Sequence, residues 1–138
     1  MSLIEFEINK KIAVLRMCNL PKKNILSEEM LKEIEEKIDE VERSETIFGL
    51  MITGEEDVFC AGADLKKAKS HAEFASYLGL IRNVFDKMLS MNKITLACVN
   101  GMALGGGAEL ALTCDFIFCA DEGSSFAFPE VSLGLFPG

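Results

Sequence analysis

The stretch NGMALGGGAELALTCDF, residues 100–116, sets three consecutive glycines against an apolar segment with helical character and a single carboxylate, Glu109. Inside a helix each glycine costs about 0.5–1 kcal/mol relative to alanine. A run of three at a helix start therefore implies that another group comes close to that backbone. The residues just before it, ITLACVNG at 94–101, read as a short buried strand. The local order is strand, glycine turn and helix N-terminus, with unpaired N–H groups that stabilise negative charge on an oxygen.

The familiar phosphate patterns do not fit this turn. A P-loop needs lysine and then serine or threonine after its last glycine, whereas Gly101 and Gly106 are followed by Gly107 and Ala108. The dinucleotide pattern fails because Leu110 stands where a third glycine belongs after Gly105 and Gly107. G-x-S-x-G is absent, and the one histidine, His71, opens a surface-type helix, so a Ser-His-Asp hydrolase has no base.

The remainder of the chain alternates strands and helices. IEFEINKKIAVLRM reads as a hairpin turning at Asn9-Lys10. From the N-cap Ser27, residues Met30, Leu31, Ile34, Ile38 and Val41 follow helical spacing to about Arg43. FGLMITG at 48–54 is a continuously apolar run, expected to be a buried strand like 94–101. Between these two strands, Phe74, Leu78, Ile81, Val84, Phe85 and Met88 trace one face of a helix over 71–90. DFIFCA at 115–120 is a third strand, preceded by the helix that begins near Gly106. The fold class is α/β, one domain over residues 1–138, with reactive groups expected in loops at strand ends.

Glu109 lies three residues beyond Gly106, on nearly the same helix face and within one turn of its N–H. The plain alternative is an acidic residue stabilising a helix start. Against it stands the apolar sequence that follows, since a buried carboxylate needs a reason. A second loop of small residues, FCAGADL at 59–65, follows its strand closely and offers another approachable backbone at Gly62 and Ala63. Glu130 follows the rigid Pro129 in an apolar setting. Two enclosed carboxylates beside two backbone donors suit proton transfer next to a developing enolate.

FCAGADL, NGMALGGGAELALTCDFIFCA and FPEVSLGLFPG together resemble the enoyl-CoA hydratase/isomerase (crotonase) family. The likeness covers essentially the whole chain, including NLPKKNIL at 19–26. It implies a crotonase-like spiral of ββα units, here the N-terminal core only, without the C-terminal helical region. It also implies that the N–H groups of Ala63 and Gly106 polarise an acyl-CoA thioester. Glu109 and Glu130 match the catalytic glutamates, which in a hydratase hold a water, direct its oxygen to C3 of an enoyl-CoA and deliver a proton to C2. Lys22, Lys23, Ile25, Ala61, Asp64, Leu65 and Lys66 match the positions that contact coenzyme A, and Lys67 adds charge for its phosphates. The segment 115–126 is about one residue longer than is usual in the family.

The resemblance implies a lyase, with double-bond isomerisation or another family reaction as the alternative, and a non-catalytic acyl-CoA-binding or assembly fragment as a third reading. Coenzyme A enters as part of the substrate, with no permanently bound cofactor and no metal; Cys18, Cys60, Cys98, Cys114 and Cys119 form no C-x-x-C pair. A homo-oligomer, trimer or hexamer, is expected when full length. The balance of 14 basic and 22 acidic residues, net −8, disfavours nucleic acid. No apolar run reaches the length of a membrane span and the N-terminus lacks signal-peptide order, so a cytoplasmic location is expected.

Overall fold

The computed structural model describes residues 2–66, 70–134, 136 and 137. Strands β1 (Ile4–Asn9) and β2 (Ile12–Met17) form the hairpin. Its turn sits at Lys10-Lys11, one residue later than expected, because Asn9 still pairs with Ile12 and Lys10 takes the left-handed conformation at φ 57°. A 3-10 turn at Leu20–Lys22 leads to α1 (Glu28–Arg43). The Ser27 hydroxyl accepts the Met30 N–H at 3.2 Å, capping the helix. The five apolar positions expected on α1 are all buried.

Three further units repeat one plan. Strands β3 (Gly49–Thr53) and β4 (Val58–Cys60) precede α2 (His71–Ser90), β5 (Ile94–Val99) and β6 (Met102–Leu104) precede α3 (Gly106–Leu112), and β7 (Phe116–Cys119) and β8 (Ser125–Ala127) precede a 3-10 turn at Pro129–Leu133. The first strand of each unit joins a five-stranded sheet ordered β1-β2-β3-β5-β7, and the second joins a three-stranded sheet ordered β4-β6-β8. Beyond the hairpin, every strand-to-strand pairing among the described residues is parallel. The winding is thus a spiral of ββα turns, the crotonase-like fold.

Burial in the central strands alternates: Leu50, Ile52, Ala97 and Val99 are buried, while Met51 and Leu96 are half-buried. The apolar runs thus have one closed face rather than the two expected, as the period of two in a strand allows. Helix α2 spans its expected range, but its buried stripe is Tyr77, Ile81, Val84 and Met88. Leu78, expected inside, is 43% exposed. The tyrosine takes the inner position because its hydroxyl finds two partners there, which satisfies the polar end of a large ring.

Phe116, Ile117 and Phe118 on β7, Phe126 on β8 and the following Phe128 and Val131 are all exposed. These open apolar side chains are concentrated in residues 116–131, and exposed apolar surface of this kind favours association. Produced on its own, the 138-residue chain is expected to sediment as species larger than a monomer and to bind an exposed-hydrophobe dye. Changing Phe116 and Phe118, neighbours on one strand face, to lysine should reduce both signals. A dye-silent monomer of the original chain would contradict this.

Candidate active site

The glycine run lies against the segment that follows β4, and each glycine has its own reason. A Cβ on Gly107 would overlap the carbonyl of Cys60. Gly105 has φ +49°, and its Cβ would stand 2.6 Å from Glu130 Oε1. At Gly106 the Cβ would lie 3.6 Å from the backbone nitrogen of Ala63 and 3.7 Å from Glu109 Oε2, so a side chain there would occupy the space between them. On the facing loop, a Cβ on Gly62 would come 3.1 Å from the nitrogen of Gly106. The backbones of Gly62-Ala63 and Gly105–Gly107 are therefore in close apposition, as a chain without Cβ atoms permits.

Which way the Ala63 N–H points follows from peptide planarity. Gly62 O accepts the Leu26 N–H at 2.8 Å, and Leu26 and Ala63 form a parallel bridge. In a trans peptide the C=O and N–H point in opposite directions. With its carbonyl aimed at Leu26 N, the Gly62-Ala63 peptide turns its N–H away from that nitrogen, and Ala63 N lies 3.6 Å from where a Cβ on Gly106 would stand. Helix α3 is only seven residues long. Its dipole is correspondingly slight, so the electrostatics of the site rest on individual N–H groups rather than on a macrodipole.

Both glutamates border this backbone pair. Glu109 is half-buried in the first turn of α3, with Oε2 near Gly106. Glu130, half-buried in the last 3-10 turn, has Oε1 beside Gly105. Its Oε2 is buried and has no hydrogen-bond partner among the described residues. An acceptor atom in that condition is open to a donor or a proton.

The positions matched to coenzyme A fall on two adjoining loops. The Ala61 N–H donates to Lys23 O at 3.0 Å, which joins the Lys22-Lys23 turn to the FCAGADL loop. Lys22, Lys23, Leu65 and Lys66 are exposed, while Ile25, Ala61 and Asp64 are half-buried. The cations thus stand at the solvent edge and the small residues within. Lys67 lies outside the described residues. Among the described residues, no group of three or more His, Cys, Asp or Glu side chains is arranged to hold a metal ion, and no helix is long and apolar enough to cross a membrane.

Sequence reasoning missed the polar side chains that hold these loops. Asn24 is fully buried at φ 50°; its Oδ1 accepts the Asn19 N–H at 2.7 Å, and its Nδ2 donates to Val58 O and Phe59 O at 3.2 and 3.3 Å. Asn100 accepts from Gly54 N at 2.9 Å and donates to Glu56 O at 2.9 Å. Asp115 accepts from the Thr95 N–H and hydroxyl at 2.8 and 3.0 Å, fixing the exit of α3 to β5. The Tyr77 hydroxyl donates to Leu26 O at 2.6 Å and accepts from Asp64 N at 2.7 Å. For Asn24 the signal was its place at the end of a loop containing proline, where asparagine tolerates the left-handed region.

A spiral of ββα turns in which the loops after β4 and β6 lie side by side, with Glu109 and the Glu130 of the following unit beside them, has the crotonase-type architecture. Residues 7–138 match the family Enoyl-CoA hydratase/isomerase, and the chain belongs to it. It is 39% identical over 132 residues to the short-chain-enoyl-CoA hydratase of Clostridium acetobutylicum, covering 93% of this chain and 50% of that protein. It is 48% identical over 82 residues to an enoyl-CoA isomerase/hydratase of Mycosarcoma maydis, covering 58% of this chain and 30% of the relative. The crystal structure of an enoyl-CoA hydratase from Bacillus anthracis superposes with a TM-score of 0.94 at 28% identity, over 99% of this chain and 54% of that one. The chain spans half or less of the length of these two curated relatives.

Replacing Asn24 with alanine leaves the Asn19 N–H without its acceptor and takes the Nδ2 donor away from the Phe59 and Val58 carbonyls, of which Val58 O still receives the Glu55 N–H. It also puts alanine, which tolerates φ 50° less well than asparagine, in a buried turn. The expected loss of stability is about 1–3 kcal/mol, the usual penalty for stranded buried polar groups. Urea denaturation measures it; an unchanged midpoint would mean that the turn does not depend on this side chain.

Proposed function

We propose that this chain forms the thioester-polarising and proton-transfer site of an enoyl-CoA hydratase. The observation that carries the reading is the apposition of Ala63 N and Gly106 N across a space that a glycine leaves open, with Glu109 and Glu130 on its border. Two fixed N–H donors aimed at one oxygen stabilise the charge that develops there when C2 of an enoyl thioester gains carbanion character. Because they are already oriented, no reorganisation opposes the reaction. One glutamate takes a proton from water as its oxygen bonds to C3, and C2 receives either that same proton or one from the other glutamate's carboxyl group, so that H and OH are added in all. Dehydration runs the same transfers backwards. The exposed Lys22, Lys23 and Lys66 would meet the phosphates of coenzyme A, whose binding should weaken with added salt.

Double-bond isomerisation is the second reading, favoured by the similarity to the Mycosarcoma maydis isomerase/hydratase. It uses the same enolate but returns the proton to another carbon and adds no water. Deuterium incorporation at C2, followed alongside water addition to crotonyl-CoA, distinguishes the two.

In the whole protein, Glu109→Gln and Glu130→Gln should each lower hydration of a short enoyl-CoA by roughly 10²–10⁴-fold, the range for a positioned acid or base. Binding should change little, because the thioester is held by backbone groups. Gly106→Pro removes the N–H itself and should reduce kcat by about 10²–10³-fold, in line with loss of one oxyanion donor. Wild-type hydration rates in both glutamine variants would end the hydratase reading.

A further inference from the structure

The geometry points to Tyr77 as a positioning residue that aims the Ala63 N–H through a closed ring of hydrogen bonds. This inference rests on the oxyanion reading above. The ring runs from Leu26 N to Gly62 O, along the chain through Ala63 to Asp64 N, then through the Tyr77 hydroxyl to Leu26 O. Ala63 is thereby held on both sides. The peptide before it is fixed by Leu26 N and the peptide after it by the tyrosine.

In the parallel bridge between Leu26 and Ala63, Leu26 O faces Asp64 N. Here the hydroxyl engages both, at 2.6 and 2.7 Å, and so sets the tilt of the Ala63-Asp64 peptide. The phenol is buried in the stripe of α2 that faces the core, and Leu26 is fully buried. Burial raises its pKa to about 12, so the proton needed for the bond to Leu26 O is retained. Helix α2 is in turn braced on α1, where the Lys87 ammonium lies 2.9 Å from Glu35 and 2.7 Å from Asp39. Tyr77 thus connects the helical layer to a single N–H of the site without touching the reacting atoms. A tyrosine filling core volume alone would need only its ring.

The test separates alignment from packing. Tyr77→Phe keeps the ring and removes the hydroxyl. In the whole protein, kcat for hydration should fall about 10–10²-fold with KM little changed, the scale expected when a donor is misplaced rather than lost. The thioester carbonyl stretch of bound enoyl-CoA, read by difference infrared or Raman spectroscopy, should lie below the free value in the wild type and move back toward it in the variant. A full carbonyl shift and an unchanged kcat in the variant would overturn the role of Tyr77 and leave the site reading intact. No carbonyl shift in the wild type would remove the site reading and this inference together.

A second measurement does not depend on the folding of a variant. Tyr77 is the single tyrosine of this 138-residue sequence, so 3-fluorotyrosine labelling of the chain gives one 19F signal. It should move with butyryl-CoA, which carries the thioester carbonyl, and not with free coenzyme A. Equal response to both, or to neither, would overturn the connection.

Discussion

The approach of the Gly105–Gly107 backbone to the segment after β4 is the contact on which the site depends. At Gly107 it is so close that a methyl group would enter the space of the Cys60 carbonyl. That proximity seats α3 on the second sheet and brings the Gly106 nitrogen beside the Gly62-Ala63 peptide. A single alanine at Gly107 would push the helix away and separate the two N–H groups before it altered any side chain of the chemistry. The helix penalty of consecutive glycines is thus offset by what their absent side chains allow.

The same contact is a consequence of winding. Strands β4 and β6 are parallel neighbours in the small sheet, with Val58 opposite Met102 and Cys60 opposite Ala103. Parallel neighbours deliver their chain exits to the same end of a sheet. The loop after β4 and the glycine turn after β6 must therefore emerge side by side, one from each of two successive repeats. Neither loop needs to be long, because the register of two three-residue strands already sets their separation.

Much of this was legible from residue order alone. Helix α2 lies where its apolar spacing put it, and the Ser27 cap and the five buried positions of α1 are those of an amphipathic helix with a hydroxyl before it. The three short strands of the second sheet were not recognised as strands. VFC, MAL and SFA are each three residues long, too short for a period of two to register, and they exist as strands because they pair with one another. Tyr77 takes a buried place while Leu78, expected inside, is exposed, because periodicity weighs hydropathy and does not register that a hydroxyl can find Leu26 O and Asp64 N inside. Partners 13 and 51 positions away leave no local trace.

Asn24, Tyr77, Asn100 and Asp115 share a physical task. Each uses a short or rigid polar side chain to bind backbone groups of a neighbouring loop, which supplies partners that loops cannot obtain from a ladder. Their effect at the site is selective. Tyr77 satisfies the backbone around Ala63, from Leu26 O to Asp64 N, while the N–H of Ala63 itself is turned by the planarity of its peptide away from Leu26 N. Fixing the neighbours makes that one donor stiff. A stiff donor keeps its direction as charge grows on a nearby oxygen, whereas a mobile one must first be ordered, and this difference favours the transition state over the ground state. In the hydratase reading proposed above, catalytic capacity therefore resides as much in the buried side chains that never meet the substrate as in the two carboxylates.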